Sequence, residues 1–131
     1  MKVQGDSLTK ERDAIGALGL HGIYAGIGRG PEDGDDYALE VLEQEPPKER
    51  MTWEEARQWA ESVGGELPTR RDLALCFANV PELFEKEWYW SAESVAGYAA
   101  YAWFQYFTNG TQYYGRKGSV LRARAVRRLP I

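Results

Sequence analysis

The segment from Phe84 to Tyr114 constrains this chain more than any other. It holds twelve of the seventeen aromatic residues, and Gly and Asn clusters punctuate it. Aromatic residues fill pleated, half-buried positions, while Asn-Gly suits the positive φ angles of a tight turn. The pattern predicts a strand over Glu87–Ala92, a loop at Glu93–Gly97, and a strand from Tyr98 or Ala99 to Phe107. A turn at Thr108–Thr111 follows, then a return strand at Thr111–Arg116, a turn at Lys117–Ser119 and a closing strand over Val120–Leu129. This is an antiparallel meander. Alternation places Trp103, Gln105 and Phe107 on one face and Ala102, Phe104 and Tyr106 on the other. Both faces are aromatic, so parity does not choose the inner one. Trp90, Trp103 and Phe107 are expected in the core. Tyr98, Tyr101, Tyr113 and Tyr114 sit near turns and carry hydroxyls. With Arg116 they make a candidate binding face, because Tyr, Trp and Arg dominate recognition hot spots.

With 131 residues, the chain is expected to be a single domain with its own core. Residues 1–20 form a polar lead with a short helix around Lys10–Leu18. No run has the length of a membrane span. The first residues lack an apolar signal region, and the lone cysteine, Cys76, cannot make an internal disulfide. These features suit a reducing, cytoplasmic life, or delivery by a route that needs no signal peptide. The net charge of −4 hides an asymmetry: residues 1–93 hold all twenty acids and ten bases, whereas residues 94–131 hold six bases and no acid. Internal neutralisation of the closing strand is the favoured explanation. A basic, aromatic patch for an anionic partner is the sharper one. In the closing strand, Arg122 and Arg124 are expected outside, opposite Leu121, Ala123 and Ala125.

Strands are also expected at His21–Gly28 and Tyr37–Glu43. Gly26-x-Gly28-x-Gly30 lacks the helix start and the Lys-Ser/Thr of a phosphate loop. Asp33, Asp35 and Asp36 read as a solvated acidic turn, since their spacing is not that of a calcium loop. Thr52-x-x-Glu55 and Thr69-x-x-Asp72 are capping boxes, in which hydroxyl and carboxylate satisfy the free amides of a first helical turn. Each opens a helix. The first carries a stripe of Trp53, Ala56, Ala60 and Val63 and stops at Gly64-Gly65. The second carries Leu73, Cys76, Phe77 and Val80 and stops at Pro81. Cys76 belongs to that stripe, so it reads as a core residue.

Leu67-Pro68-Thr69, Trp88-Tyr89-Trp90-Ser91-Ala92-Glu93, Ala102-Trp103 through Asn109-Gly110, and Arg122 through Arg127 occur in that order. Over residues 50–129 this set resembles the family of the C-terminal domain of collagen-like bacterial adhesins. That family lies within the C-type lectin-like superfamily, alongside formylglycine-generating-enzyme-like domains. The resemblance implies an α+β, compact C-type lectin-like fold, with two helices flanking a twisted antiparallel sheet and the first strand near the closing one. It also implies structural duties for the motif residues, with Trp90 and Trp103 as core rings. The chain departs from the catalytic and calcium-dependent branches. It has neither Glu-Pro-Asn nor Gln-Pro-Asp, no Trp-Asn-Asp, one cysteine and one histidine.

The expected function is therefore a non-catalytic recognition module that binds a protein or glycan without calcium, metal or cofactor, through Tyr98, Tyr101, Tyr113, Tyr114 and Arg116. The alternative is a phage-encoded inhibitor of a bacterial complex, acting through an acidic surface that mimics nucleic acid. Overall acidity argues against nucleic-acid binding by the chain itself. No nucleophile, metal set or cofactor loop points to an enzyme.

Overall fold

The computed structural model describes residues 14–32 and 34–131. Its elements are β1 (Ile23–Gly28), β2 (Tyr37–Val41), α1 (Trp53–Ser62), α2 (Arg70–Asn79), a 3-10 turn (Pro81–Leu83), β3 (Trp88–Val95), β4 (Tyr98–Tyr106), β5 (Gln112–Arg116) and β6 (Val126–Pro130). The architecture is α+β, as expected, but the single sheet is a pair. Two three-stranded antiparallel sheets form, in the orders β1-β2-β6 and β3-β4-β5. β2 therefore lies between the first and closing strands.

Both capping boxes form. Thr52 accepts from Glu55 N while Glu55 accepts from Thr52 N, and Thr69 and Asp72 do the same. The two helices take opposite faces of β3-β4-β5. α1 lays Ala56, Trp59 and Ala60 against Trp90 and Ala102. α2 lays Leu73 and Cys76 against Tyr89 and Phe107, and in the same cluster meets Ala25, Leu39 and Val41 of the other sheet. A sheet covered on both sides needs apolar residues of both parities, which explains why alternation along β4 could not choose an inner face. Trp90 is fully buried and donates its indole N–H to Met51 O at 2.8 Å.

Several local expectations change. β3 runs on to Val95, so the proposed loop at Glu93–Gly97 shrinks to a tight turn in which Gly97 takes φ 83°. The closing strand is shorter than Val120–Leu129. Residues 120–125 cross between the sheets and make only isolated bridges, such as Met51↔Leu121 and Tyr89↔Arg122. Residues 14–18 turn rather than form a helix; the earlier part of the proposed Lys10–Leu18 helix lies outside the described residues, as does Asp33. Leu20, His21 and Gly22 donate their backbone N–H groups to the Glu40 carboxylate at 3.0, 2.6 and 2.9 Å. Glu40 is wholly buried. A charged acceptor with several donors can remain in a core.

Candidate recognition face

Register decides which predicted residues meet. Across β4 and β5, Tyr101 pairs with Arg116, Trp103 with Tyr114 and Gln105 with Gln112. Paired residues share a face. Tyr101, Tyr114 and Arg116 therefore lie together on the α2 side, and Tyr98 joins them through an edge contact with Tyr101 at 6.3 Å. Tyr113 does not: it pairs with Phe104 on the α1 side, although its ring stacks on Tyr114 at 4.9 Å. Tyr98, Tyr113 and Tyr114 are 65%, 57% and 39% exposed. Arg116 is exposed, Tyr101 is half-buried, and the Arg116 guanidinium lies 5.4 Å over the Tyr101 ring.

Trp103 is half-buried and not the core ring that was expected. Helix α2 covers its side of the sheet with Leu73 and Cys76, over Tyr89 and Phe107. Gln105, under that cover, donates to Leu73 O at 2.8 Å, whereas Trp103 lies one pair further along. What covers Trp103 is Arg70, whose guanidinium sits 3.5 Å over the ring. Tyr114 meets the same ring edge-on at 5.1 Å. Rings and cations therefore run without a break as Arg70, Trp103, Tyr114, Tyr101, Arg116. A glutamine relay fixes one end of the line. Arg70 Nε donates to Gln112 Oε1 at 2.9 Å, and Gln112 Nε2 donates to Arg70 O and to Gln105 Oε1, both at 2.8 Å.

Beside Arg70 opens a groove of about 1130 Å³, lined by Arg29, Glu66, Arg70, Arg71, Glu93 and Gln112 among others. Arg70 N donates to Glu93 Oε2 at 2.8 Å, so this carboxylate caps the helix start. Tyr37 and Arg128 also line the groove and converge on fully buried Asp72. Tyr37 donates its hydroxyl to Asp72 Oδ1, and Arg128 Nη2 approaches Oδ2 at 3.0 Å. Burial pushes the Tyr37 hydroxyl above its ordinary pKa, and its bond to Asp72 adds to the rise. Burial works against the charge on Arg128, but Asp72 and Glu66 outweigh it and hold the guanidinium above its usual value. Gly28 makes this knot possible, because a Cβ there would lie 2.1 Å from the Tyr37 ring.

The arginines expected outside on the closing strand are turned inward. Arg124 is only 8% exposed and pairs with Glu45 at 3.0 Å. Arg122 reaches Glu49 and Glu87 at 3.0 and 3.1 Å. The strand alternation assumed for them does not exist, because residues 120–125 are not a strand. The Cys76 thiol is buried, which pushes its pKa far up, and the Asp72 charge adds to this. Asp36 accepts from Gly30 N at 2.9 Å, an anchor within its own loop.

Arg70 and Gln112 carry no motif that would single them out. Gln105 does leave a trace: it is the sole residue other than alanine and aromatics between Tyr98 and Phe107. Among the described residues, no helix is long and apolar enough to cross a membrane. No protein-family model matches the chain, and no curated protein matches it.

Proposed function

We propose that the chain is a non-catalytic recognition module of C-type lectin-like fold, binding a protein or glycan partner without calcium. Its working surface is the α2 side of β3-β4-β5. The observation that carries this is the unbroken line of Tyr98, Tyr101, Arg116, Tyr114, Trp103 and Arg70. Exposed and half-buried rings and cations locked side by side offer contact area and directed charge at low entropic cost, the composition of an interface hot spot. The ordered motifs across residues 50–129 support the fold assignment. Tyr113, on the other side, acts by stacking on Tyr114 and not as a primary contact.

The test is capture by the immobilised parent chain from bacterial lysate and on a glycan array, beside a Tyr98→Ser/Tyr114→Ser/Arg116→Ala variant of unchanged thermal midpoint. The expected result is a discrete partner held by the parent, retained in chelator, and bound about tenfold or more weaker by the variant. Loss of binding in chelator would remove the calcium-independent part. Capture that survived the triple substitution would move the working surface to the acidic side of the molecule and favour the inhibitor alternative.

A further inference from the structure

Arginines in this chain are held in two ways. Arg57, Arg122, Arg124 and Arg128 each face a carboxylate. Arg70 is held instead by the Trp103 ring and the neutral amide of Gln112. Its plane is fixed, its charge is kept, and among the described residues its two Nη atoms make no hydrogen bond or ion pair. A planar guanidinium with that edge open matches a carboxylate bidentately. Arg29 and Arg71 line the same groove and have no ion pair among the described residues. Two of the groove's acids are already engaged: Glu93 caps the start of α2, and Glu66 pairs with Arg128. By formal charge the lining sets four arginines, Arg29, Arg70, Arg71 and Arg128, against Glu32, Glu66 and Glu93, a narrow positive excess in a chain that is acidic as a whole.

We infer that this groove receives an acidic segment of a protein partner, with an Asp or Glu carboxylate gripped by the Nη edge of Arg70. This rests on the recognition reading and chooses between its two partner classes. A sugar needs a ring face to stack on, and Trp103, the largest ring of the site, already has a guanidinium over its face. An acidic peptide asks only for oriented donors and fixed charge, with the neighbouring tyrosines as apolar flanks. Arg71 and Arg29 add field more than geometry.

The test pans the parent chain against random peptides displayed on phage. Binding of the selected peptides is then measured by fluorescence anisotropy. Four proteins are compared: parent, Arg70→Lys, Arg71→Gln and Tyr98→Ser/Tyr114→Ser, each first checked for an unchanged thermal midpoint. Oligogalacturonate serves as the acidic-sugar probe. The expected peptides are rich in Asp and Glu. Arg70→Lys weakens them about tenfold, because an ammonium is a point charge without the planar fork. Arg71→Gln weakens them by about threefold, through field alone. Selected peptides without acids, or equal affinity for parent and both arginine variants, overturn the inference. Loss only in the tyrosine variant leaves the recognition face standing and removes the groove. Oligogalacturonate binding that depends on Arg70, with no peptide selected, assigns the groove to acidic sugars and overturns the peptide occupant. No binding of either probe overturns the inference as well; capture of a partner by the immobilised parent would then still uphold the recognition reading.

Discussion

The cations around the two sheets are held mainly by different means, although Arg128 also lies 5.6 Å over the Tyr37 ring. Around β6 and the segment leading into it, Arg122, Arg124 and Arg128 are matched with Glu49, Glu87, Glu45, Glu66 and Asp72. Along β4 and β5, Arg70, Arg116 and Lys117 lie over Trp103, Tyr101 and Trp53 at 3.5, 5.4 and 4.2 Å. A carboxylate cancels the charge it holds. A ring orients a cation and leaves the charge in place. The first arrangement joins segments distant in sequence and leaves little field outside. The second keeps positive charge beside apolar surface, as a recognition face requires. Five of the six bases of the C-terminal third thus fall into two populations: Arg122, Arg124 and Arg128 pair with acids and close the fold, while Arg116 and Lys117 lie over rings and keep their charge.

The largest test of that division is to break one member of each kind. Asp72→Ala removes the acceptor for Tyr37 and Arg128 and opens the capping box of α2. Breaking a buried ion pair from one side costs about 3–5 kcal/mol, so urea unfolding should show a loss of that size. Trp103→Ala removes a half-buried ring. It should cost roughly half of the ~3–5 kcal/mol typical of a fully buried aromatic, while weakening partner binding more than Asp72→Ala does. If Trp103→Ala proved the more destabilising of the two, the aromatic line would be a structural element first, and the contrast between the sheets would fail.

Much of this fold was legible because its signals are local. Both capping boxes, the Asn109-Gly110 turn, the helical stripes and the burial of Trp90 and Phe107 follow from a few neighbouring residues. Partnerships across the chain were not. Asp72 is fully accounted for by its capping box, so nothing local hints that Tyr37 and Arg128 also converge on it. Glu40 sits in an alternating strand as an outward residue would, yet β2 is a central strand and both of its sides are covered. Arg122 and Arg124 were misplaced because strand alternation was extended into a crossing segment. The split into two sheets depends on which strands pair, and alternation does not say. Within the candidate face, the tyrosines were legible from their hydroxyls and their place near turns, whereas Arg70 and its glutamine relay depend on where α2 begins relative to β4.

A smaller effect separates the two regions by pH. Hydrogen bonds from Arg122 and then Arg50 hold Glu87 below its ordinary 4.5. Arg57 followed by Gln58 does the same for Glu54, and Lys48 with the Thr52 amide for Glu55. A carboxyl depressed in the folded state contributes stability that is fully present above its unfolded value and is lost as pH falls through the folded one. Stability should therefore hold down to about pH 4.5 and decline below it. These groups are exposed, so the decline should be shallow and should flatten further at high salt. Urea midpoints taken from pH 7 to pH 3 measure it. In an Arg50→Gln/Arg122→Gln variant the slope should be reduced, and in Arg70→Gln it should be unchanged, because Arg70 rests on no carboxylate side chain. An equal change in both variants would mean that the ring-held cations are also coupled to acids, which would erase the distinction.

The smallest expected effect concerns Arg124, and it tests whether charge pairing in the closing segment stabilises at all. Arg124 is buried, yet its partner Glu45 has a side chain 78% exposed, and its own Nε has no hydrogen-bond partner among the described residues. A carboxylate in water gives little back for the desolvation of the guanidinium, and an unsatisfied buried N–H costs more. Replacement by an apolar side chain of similar length removes both costs and keeps the packing of the aliphatic stem. Arg124→Met should therefore lie within about 1 kcal/mol of the parent, on either side. Arg128→Met, which leaves Asp72 charged, buried and short of a partner, should be costly. Thermal and urea unfolding of the two variants side by side decides the matter. Equal, large losses would make Arg124 as essential as Arg128 and would show that the closing segment depends on its pair with Glu45. A near-neutral Arg124→Met would leave the holding of the closing strand to Arg122 and to the knot at Asp72, with Arg124 as a cation that the fold tolerates without needing its charge.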